Sequence, residues 1–314
     1  MSEYDVRACR PEDAPSVADL LNVVAQASGG HLELPAEAIE NVVNEEGLDP
    51  AQDTRVLTDR QGRAIAVGWV RLPPDGGHRV TLTGAVHPDW RGQGIGQDLL
   101  NWQLARASVR QEELAPEDDW LAQVDAGAAD TTALRLYERL GFSVERYFVE
   151  MLAPTVSTPA ALPPPGVKIV PYAPERDGGL HAVHTAAFVD TWGYQERTFD
   201  SWAALTVRSK TFVPELGRLA LMDDQLVGYV LPYADGPETL YIGQVGTADG
   251  WRRQGIATTV LADVLAAAHA HGYSEAALET DATSPTDASS AYAKSGFVTT
   301  HRIVVYQRSL RVPS

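Results

Sequence analysis

The sequence has one cysteine, few basic residues and no long apolar stretch. A single cysteine, Cys9, excludes a disulfide within the chain, and its place in a predicted first strand indicates a buried thiol rather than a nucleophile. The 25 Lys and Arg residues are outnumbered by 42 Asp and Glu residues, and the resulting net charge of −17 argues against nucleic acid or an anionic membrane as a partner. No apolar run approaches the ~20 residues of a membrane span. Cys and His residues show no metal-ligand spacing, so no metal is expected.

The N-terminal residues 1–7 also lack a basic stretch followed by an apolar one, so we expect no secretory signal and a cytoplasmic protein. At 314 residues the chain is long enough for two domains of ordinary size. Residues 153–166 are rich in proline and alanine and have too few main-chain donors for a helix or sheet, which indicates an extended linker. The predicted domains are therefore residues 1–152 and 167–314.

The most informative feature is a turn rich in glycine and arginine between a predicted strand and a predicted helix. It reads Trp-Arg-Gly-Gln-Gly-Ile-Gly at residues 90–96 and Trp-Arg-Arg-Gln-Gly-Ile-Ala at residues 251–257. Such a turn presents main-chain N–H groups and the positive end of the helix dipole, which together bind a phosphate or pyrophosphate. Arg91 and Arg252 are predicted to add charge-assisted bonds. Neither copy continues as a dinucleotide or nucleoside-triphosphate motif.

A second pattern also occurs twice. A predicted helix with Ala133 and Tyr137 ends at Gly141-Phe142, and Ala288, Tyr292 and Gly296-Phe297 repeat the same spacing. Glycine just past a helix end permits the left-handed conformation, and the next apolar residue packs back on the last turn. The chain is therefore predicted to contain one α/β unit written twice.

These two patterns resemble the GNAT superfamily of acyl-CoA-dependent N-acyltransferases, whose signature is Arg/Gln-x-x-Gly-x-Gly/Ala at the start of the main helix. The resemblance covers both halves and implies an α/β (α+β mixed-sheet) protein of two tandem GNAT folds. The tandem layout and the length are similar to those of the mycothiol synthase family.

The resemblance implies acetyl-CoA as co-substrate, with its pyrophosphate on the turn and its pantetheine arm between the fourth and fifth strands. The implied cofactor-binding residues lie at the strand ends and in the two turns: Ala85, Val86, Arg91, Gly92, Gln93, Gly94, Ile95, Gly96, Val245, Thr247, Arg252, Arg253, Gln254, Gly255, Ile256 and Ala257. Tyr137 and Tyr292 hold the position of the family's tyrosine, which protonates the leaving thiolate. Filling the core is the alternative for each tyrosine.

A general base is also expected, because an amine is protonated at neutral pH and must lose a proton before it attacks. Glu238 is the first choice, Glu279 and Asp281 are alternatives, and any of them can equally be a solvated or structural acid. The family's tandem members favour the C-terminal half as the catalytic one. Residues 192–194 and 199–202 are expected either to line an acceptor pocket or to serve as ordinary packing.

The predicted function is transfer of an acetyl group from acetyl-CoA to a primary amine of a small molecule. The length of the acyl group is left open. The alternatives are a mycothiol-synthase-like acetyltransferase and a CoA-binding regulatory protein without turnover. The two halves are expected to form a pseudo-dimer within one chain. The oligomeric state of the protein can then be either a monomer or a homodimer.

Overall fold

The structure, a computed structural model, describes residues 4–30, 34–45, 47–72, 77–155, 162–189, 191–283 and 288–311. The chain divides into two units, of which the first contains Met1–Tyr147 and His301–Ser314 and the second contains Phe148–Thr300. Among the described residues no helix is long and apolar enough to cross a membrane.

In the first unit the strands pair in the order β1, β2, β3, β4, β5, β12, and every pair is antiparallel except β4–β5. The strands are β1 (Asp5–Arg7), β2 (Thr54–Thr58), β3 (Ala64–Arg71), β4 (Arg79–Val86), β5 (Leu121–Gly127) and β12 (Val298–Ser309). The helices are α1 (Ala14–Ala27), α2 (Ala36–Val43), α3 (Pro50–Asp53), α4 (Ile95–Leu114) and α5 (Thr131–Arg139). This is the mixed α/β sheet that the sequence predicts.

The second unit repeats this arrangement, with the strand order β7, β8, β9, β10, β11, β6 and a parallel pair at β10–β11. Its strands are β6 (Ser143–Pro154), β7 (Val167–Pro171), β8 (Arg218–Met222), β9 (Gln225–Asp235), β10 (Thr239–Thr247) and β11 (Glu275–Asp281). Its helices are α6 (Asp177–Phe188), α7 (Phe199–Leu205), α8 (Ile256–Ala270) and α9 (Ala288–Lys294).

In both units the main helix packs closely on the central strands. A Cβ atom built on Gly68 of β3 would lie 2.9 Å from Leu99 of α4, and one built on Gly228 of β9 would lie 2.6 Å from Ile256 of α8. Both glycines therefore allow the helix to approach the sheet, and this approach fixes where each helix begins beside its strand.

The last strand of each sheet comes from the other half of the sequence. Residues 148–154 of β6 pair with β11, and residues 303–309 of β12 pair with β5. The predicted division into 1–152 and 167–314 is therefore wrong at these two strands. The sequence pattern identifies both strands, but two strands of equal length carry no local signal for which neighbouring strand they join.

The predicted linker is also shorter than expected at its start. Ala153 and Pro154 belong to β6, and Thr155 is buried with its main-chain N–H donating to the carbonyl of Ser274. Proline is tolerated here because it lies at the end of the strand. Residues 156–161 of the predicted linker lie outside the described residues.

Candidate active site

Each glycine-rich turn begins the main helix of its unit in an open, left-handed conformation. Gly94 precedes α4 with φ +85° and Gly255 precedes α8 with φ +84°. A Cβ atom built on either glycine would have no atom within 4 Å, and neither helix start has a side-chain cap. The first N–H groups of both helices therefore border open space, as a phosphate site requires.

The second turn differs from the first at one strained position. Arg253 adopts φ +61° where the first turn has Gly92 at φ +77°. A residue with a side chain pays roughly 1–2 kcal/mol for this left-handed conformation. The side chain of Arg253 is exposed and makes no hydrogen bond or ion pair with any described residue.

The first arginine of each turn contacts neighbouring protein groups. Arg91 Nη2 lies 2.9 Å from the buried Asp130 carboxylate, and its Nε donates to the carbonyl of Val86 at 3.3 Å. Arg252 Nη2 donates to the carbonyl of Ala187, at the end of α6, at 3.0 Å. These contacts use part of the five N–H donors of each guanidinium, and phosphate binding by the remaining donors stays a prediction.

The other predicted cofactor residues fall into two classes. Ala85, Ile95 and Ile256 have buried side chains, so only their main-chain atoms can face a ligand. The remaining positions lie at the strand ends, in the turns or at the second residue of the main helix, and are at least partly accessible: Val86, Gly92, Gln93, Gly96, Val245, Thr247, Gln254 and Ala257. Gln254 Nε2 donates to the carbonyl of Gly250 and so closes the second turn.

A gap opens beside each turn because the parallel strands diverge. In the first unit β4 pairs with β5 only from Arg79 to Thr81, although β4 continues to Val86. In the second unit β10 pairs with β11 only from Thr239 to Tyr241 and continues to Thr247. Each gap therefore exposes unpaired strand edges, to which an extended chain can add hydrogen bonds.

Only one of the two gap strands is bulged in the described structure. The register of β10 on β9 shifts between Ile242 and Gln244, whereas β4 pairs with β3 continuously from Thr81 to Val86. Pro232 of β9 faces the bulge, and proline has no N–H group to donate at that point. Bulges change the direction of side chains along a strand, and Gln244 follows this bulge in the second unit.

The two predicted tyrosines occupy different environments. The hydroxyl of Tyr137 donates to the main-chain carbonyl of Asp125 at 3.1 Å, and its ring packs on Phe142 and Tyr306. Tyr137 therefore fills the core, which is the structural alternative named above. Tyr292 is half-buried and its hydroxyl makes no hydrogen bond with a described residue, while burial raises its pKa to about 12.

Glu238, the predicted base, lies far along the chain from Gln244. It lies in the turn before β10, with an exposed side chain and a carbonyl that accepts from the N–H of Ser274. Gln244 is six residues further along the chain, which corresponds to about 20 Å in an extended strand. Of the two alternatives, the buried Asp281 accepts bonds from both the N–H and the hydroxyl of Thr283, while Glu279 is exposed.

A cavity of about 290 Å³ lies in the second unit, beside the bulge. It is lined by side chains of α6, α7, the loop between them and β10: His181, His184, Gly193, Tyr194, Gln195, Arg197, Trp202, Leu205, Thr206 and Gln244. The expected pocket residues Gly193, Tyr194 and Trp202 are among these, whereas Trp192 packs on Phe148.

One lining residue of this cavity, the half-buried His184, pairs with the buried Tyr229. His184 Nδ1 lies 2.8 Å from the hydroxyl of Tyr229. Burial and the nearby His181 lower the pKa of His184 to about 4, so the imidazole is neutral at pH 7. Burial, and then the nearby hydroxyls of Tyr233, Tyr194 and Tyr292, raise the pKa of Tyr229 well above 10. Tyr292 is thus close to the same pair that borders the cavity.

Four residues that line the cavity are not predicted by the sequence patterns: His184, Gln195, Arg197 and Gln244. The two histidines of α6 stand three residues apart and so share a helix face, which is a weak signal for a common site. Nothing in the local sequence marks the other three, because their meeting depends on the bulge and on the loop between α6 and α7.

Two family models match the chain. One, described as "Acetyltransferase (GNAT) domain", matches residues 52–144, and the other, "Acetyltransferase (GNAT) family", matches residues 180–297. Together they span more than half of the chain and contain one glycine-rich turn each. No curated protein matches the chain.

Solved structures show the same fold over the full length. A GCN5-related N-acetyltransferase from Sphaerobacter thermophilus is 28% identical, with a TM-score of 0.82 over 100% of this chain and 98% of that one. A tandem GNAT protein from the clavulanic acid biosynthesis pathway is 14% identical, with a TM-score of 0.74 over 99% and 100%. An N-myristoyltransferase from Saccharomyces cerevisiae is 11% identical, with a TM-score of 0.63 over 98% and 79%. The chain belongs to the GNAT acetyltransferase family and contains two GNAT domains in tandem.

Proposed function

We propose that this protein transfers an acetyl group from acetyl-CoA to a primary amine of a small molecule, and that the second unit carries out the reaction. The observation that carries the proposal is the cavity beside the β10–β11 gap, which Gln244 and His184 line. Tyr292 acts electrostatically on Tyr229, whose hydroxyl pairs with His184. The first unit has a gap but its tyrosine is engaged in the core. We expect the protein to act in the cytoplasm.

The second turn supports acetyl-CoA binding by its main chain. The N–H groups that follow Gly255 border open space, and the exposed Arg253 adds a positive charge beside them. The unpaired edges of β10 and β11 can hold an extended amide-containing arm by main-chain hydrogen bonds. Bound in this way, acetyl-CoA supplies an activated thioester carbonyl.

The reaction forms a bond between the amine nitrogen and the acetyl carbon and breaks the carbon–sulfur bond. The amine loses a proton and the sulfur gains one. Tyr292 remains protonated at neutral pH because its pKa is about 12, so its hydroxyl can donate to the departing sulfur and recover a proton from solvent. His184 is neutral at the same pH and so places no positive charge beside the amine. The proton of the amine leaves to water.

The test is release of free thiol from acetyl-CoA across a panel of small primary amines, with mass spectrometry of the acetylated product. We expect turnover by the wild type and a loss of kcat in Tyr292→Phe. The matched variant Tyr137→Phe should retain kcat, because that tyrosine lies in the core of the other unit. Binding of acetyl-CoA without turnover on any amine would favour a regulatory role instead.

A further inference from the structure

The cavity of the second unit contains a histidine whose ring is held by three aromatic side chains. His184 of α6 lines the cavity, and its ring stacks on that of Phe188 with the ring centroids 4.6 Å apart. The ring of Trp202 is tilted against it at 5.7 Å. The Nδ1 atom of His184 lies 2.8 Å from the hydroxyl of Tyr229. These contacts fix the imidazole with Nδ1 directed at β9.

The hydroxyl of Tyr229 decides which nitrogen of His184 carries the proton. Tyr229 is fully buried, and Nδ1 of His184 is the one partner of its hydroxyl among the described residues. The phenol is protonated at neutral pH because burial raises its pKa well above 10, and the imidazole is neutral because burial lowers its pKa to about 4. A proton on Nδ1 would leave the phenol O–H buried without an acceptor. Nδ1 is therefore the acceptor, and Nε2 carries the proton.

Two uncharged donors of this cavity have no acceptor. The Nε2–H group of His184 makes no hydrogen bond with a described residue. The indole N–H of the neighbouring Trp202, a residue that is 2% exposed, is also buried without a hydrogen bond. Neither group can accept a hydrogen bond, so each requires an acceptor from a ligand or from water. Because both donors are neutral, a hydroxyl or carbonyl oxygen suffices as their partner.

The same cavity also contains two acceptors without donors. The side-chain oxygens of Gln195 and Gln244 are buried, and neither accepts a hydrogen bond from a described residue. A buried carbonyl oxygen without a donor is unfavourable, and the N–H groups of an amine satisfy it. These donors and acceptors complement a ligand that has both an amine and an accepting oxygen. The volume of about 290 Å³ equals that of roughly ten water molecules, which admits one small molecule.

We propose that the acceptor is a small primary amine that also carries a neutral hydroxyl or carbonyl oxygen, as in an amino alcohol or an amino-acid amide, and that the Nε2–H group of His184 binds this oxygen. Tyr229 is a positioning residue, because its hydroxyl fixes the proton of His184 on Nε2. This inference rests on the proposed acetyl transfer by the second unit, to which it adds the class of acceptor.

The first experiment compares acceptors in which a hydroxyl takes the place of a methyl group: ethanolamine with n-propylamine, and L-leucinol with the corresponding enantiomer of 5-methylhexan-3-amine. Thiol release gives kcat/KM for each acceptor. The wild type should favour each amino alcohol by at least about fivefold, because the alkyl amine leaves a buried donor unpaired. His184→Phe retains a ring but removes both nitrogens, so this ratio should fall by at least about fivefold. An amino alcohol is also less basic than its alkyl partner, and the change in the ratio on substitution is therefore the decisive measurement.

Tyr229→Phe and Tyr233→Phe form a matched pair of variants. Both tyrosines belong to β9, and their rings lie over Gly246 and Gly243 of β10, where a Cβ atom would clash. The hydroxyl of Tyr233 is buried and makes no hydrogen bond with a described residue, so its removal should leave the ratio unchanged. Removal of the Tyr229 hydroxyl should lower the ratio, but not in a protein that already carries His184→Phe. The thermal midpoint of each variant reports whether it is folded.

Nitrogen NMR tests the tautomer without turnover. In protein labelled with nitrogen-15 in the imidazoles of its eight histidines, the signals of His184 are those that His184→Phe removes. At neutral pH we expect a protonated Nε2 and an unprotonated Nδ1, and both tautomers in Tyr229→Phe. Addition of ethanolamine should shift the Nε2 signal more than addition of n-propylamine does.

The outcomes separate this inference from the proposed acetyl transfer. A ratio that His184→Phe leaves unchanged, or a His184 proton on Nδ1, would overturn the inference while acetyl transfer stands. An absence of thiol release with every acceptor would overturn acetyl transfer. In that case a shift of the Nε2 signal by ethanolamine but not by n-propylamine would still support the oxygen site at His184.

Discussion

Replacement of Gly255 by alanine tests whether the second turn binds acetyl-CoA. The structure offers a matched control at the other end of the same helix, because Gly272 follows α8 with φ +92° as Gly255 precedes it with φ +84°. A Cβ atom at either position would have no atom within 4 Å, so neither change introduces a clash. Both substitutions therefore carry only the penalty of the left-handed backbone.

That penalty is about 1–2 kcal/mol for either alanine variant, which lowers the melting temperature by roughly 2–8 °C. The effect on binding should differ. The new Cβ atom of Gly255→Ala occupies the space in front of the first helical N–H groups, and loss of one N–H bond to a charged phosphate is worth about 1.5–3 kcal/mol. The affinity of the second unit for acetyl-CoA should fall roughly 10- to 100-fold.

Isothermal titration calorimetry with acetyl-CoA measures this difference. We expect Gly272→Ala to retain the wild-type affinity and Gly255→Ala to weaken or lose one site per chain. The corresponding change Gly94→Ala reports on the turn of the first unit. Equal weakening by Gly255→Ala and Gly272→Ala would show that helix strain causes the effect, and full affinity in Gly255→Ala would refute the assignment of the turn.

Three further predictions concern single side chains. Tyr292→Phe should lower kcat by about 10²- to 10⁴-fold, and Tyr137→Phe should instead lower the free energy of unfolding by about 1 kcal/mol. Steady-state rates measure the first effect and urea denaturation measures the second. A loss of kcat in Tyr137→Phe would contradict the assignment of the reaction to the second unit. Arg106→Ala removes the partner, at 2.7 Å, of the fully buried Asp53 carboxylate, so urea denaturation should show a loss of about 3–5 kcal/mol, and a loss below about 1 kcal/mol would refute this. Because burial lowers the pKa of His184 from 6.5 to about 4, protonation of this imidazole favours the unfolded chain. The free energy of unfolding should therefore decline as the pH falls from 6.5 toward 4, and it should decline less in His184→Gln. Equal pH dependence of the free energy of unfolding in the two proteins would contradict the burial of His184.

The repeated turn and the repeated helix end could be predicted because each depends on adjacent residues. Gly255 and Gly296 take the left-handed conformation that their positions require, and Phe297 packs on Tyr292 with ring centroids 6.2 Å apart. Such features depend on a few consecutive residues, and their recurrence in the same order in both halves identifies the family.

The chemistry of the site could be predicted only in part, because it depends on contacts between distant segments. The sequence predicts that Arg252 binds a phosphate, but it does not predict the hydrogen bond that its guanidinium donates to the carbonyl of Ala187. It likewise favours Glu238, which lies in the turn before β10, at the opposite end of that strand from the glycine-rich turn. The bulge before Gln244 lies opposite a proline on the neighbouring strand, and such a pairing has no periodicity to detect in the sequence.

The exchange of β6 and β12 between the two units has a consequence for synthesis on the ribosome. The second unit has all of its residues once Thr300 has been made, whereas the first unit waits for β12, although most of it was made long before. At about 5–20 residues per second, roughly 10–30 seconds pass between the translation of residue 147 and that of β12. During that interval the open edge of β5 is a template for pairing with other chains, so the nascent chain should depend on chaperones until its last residues emerge.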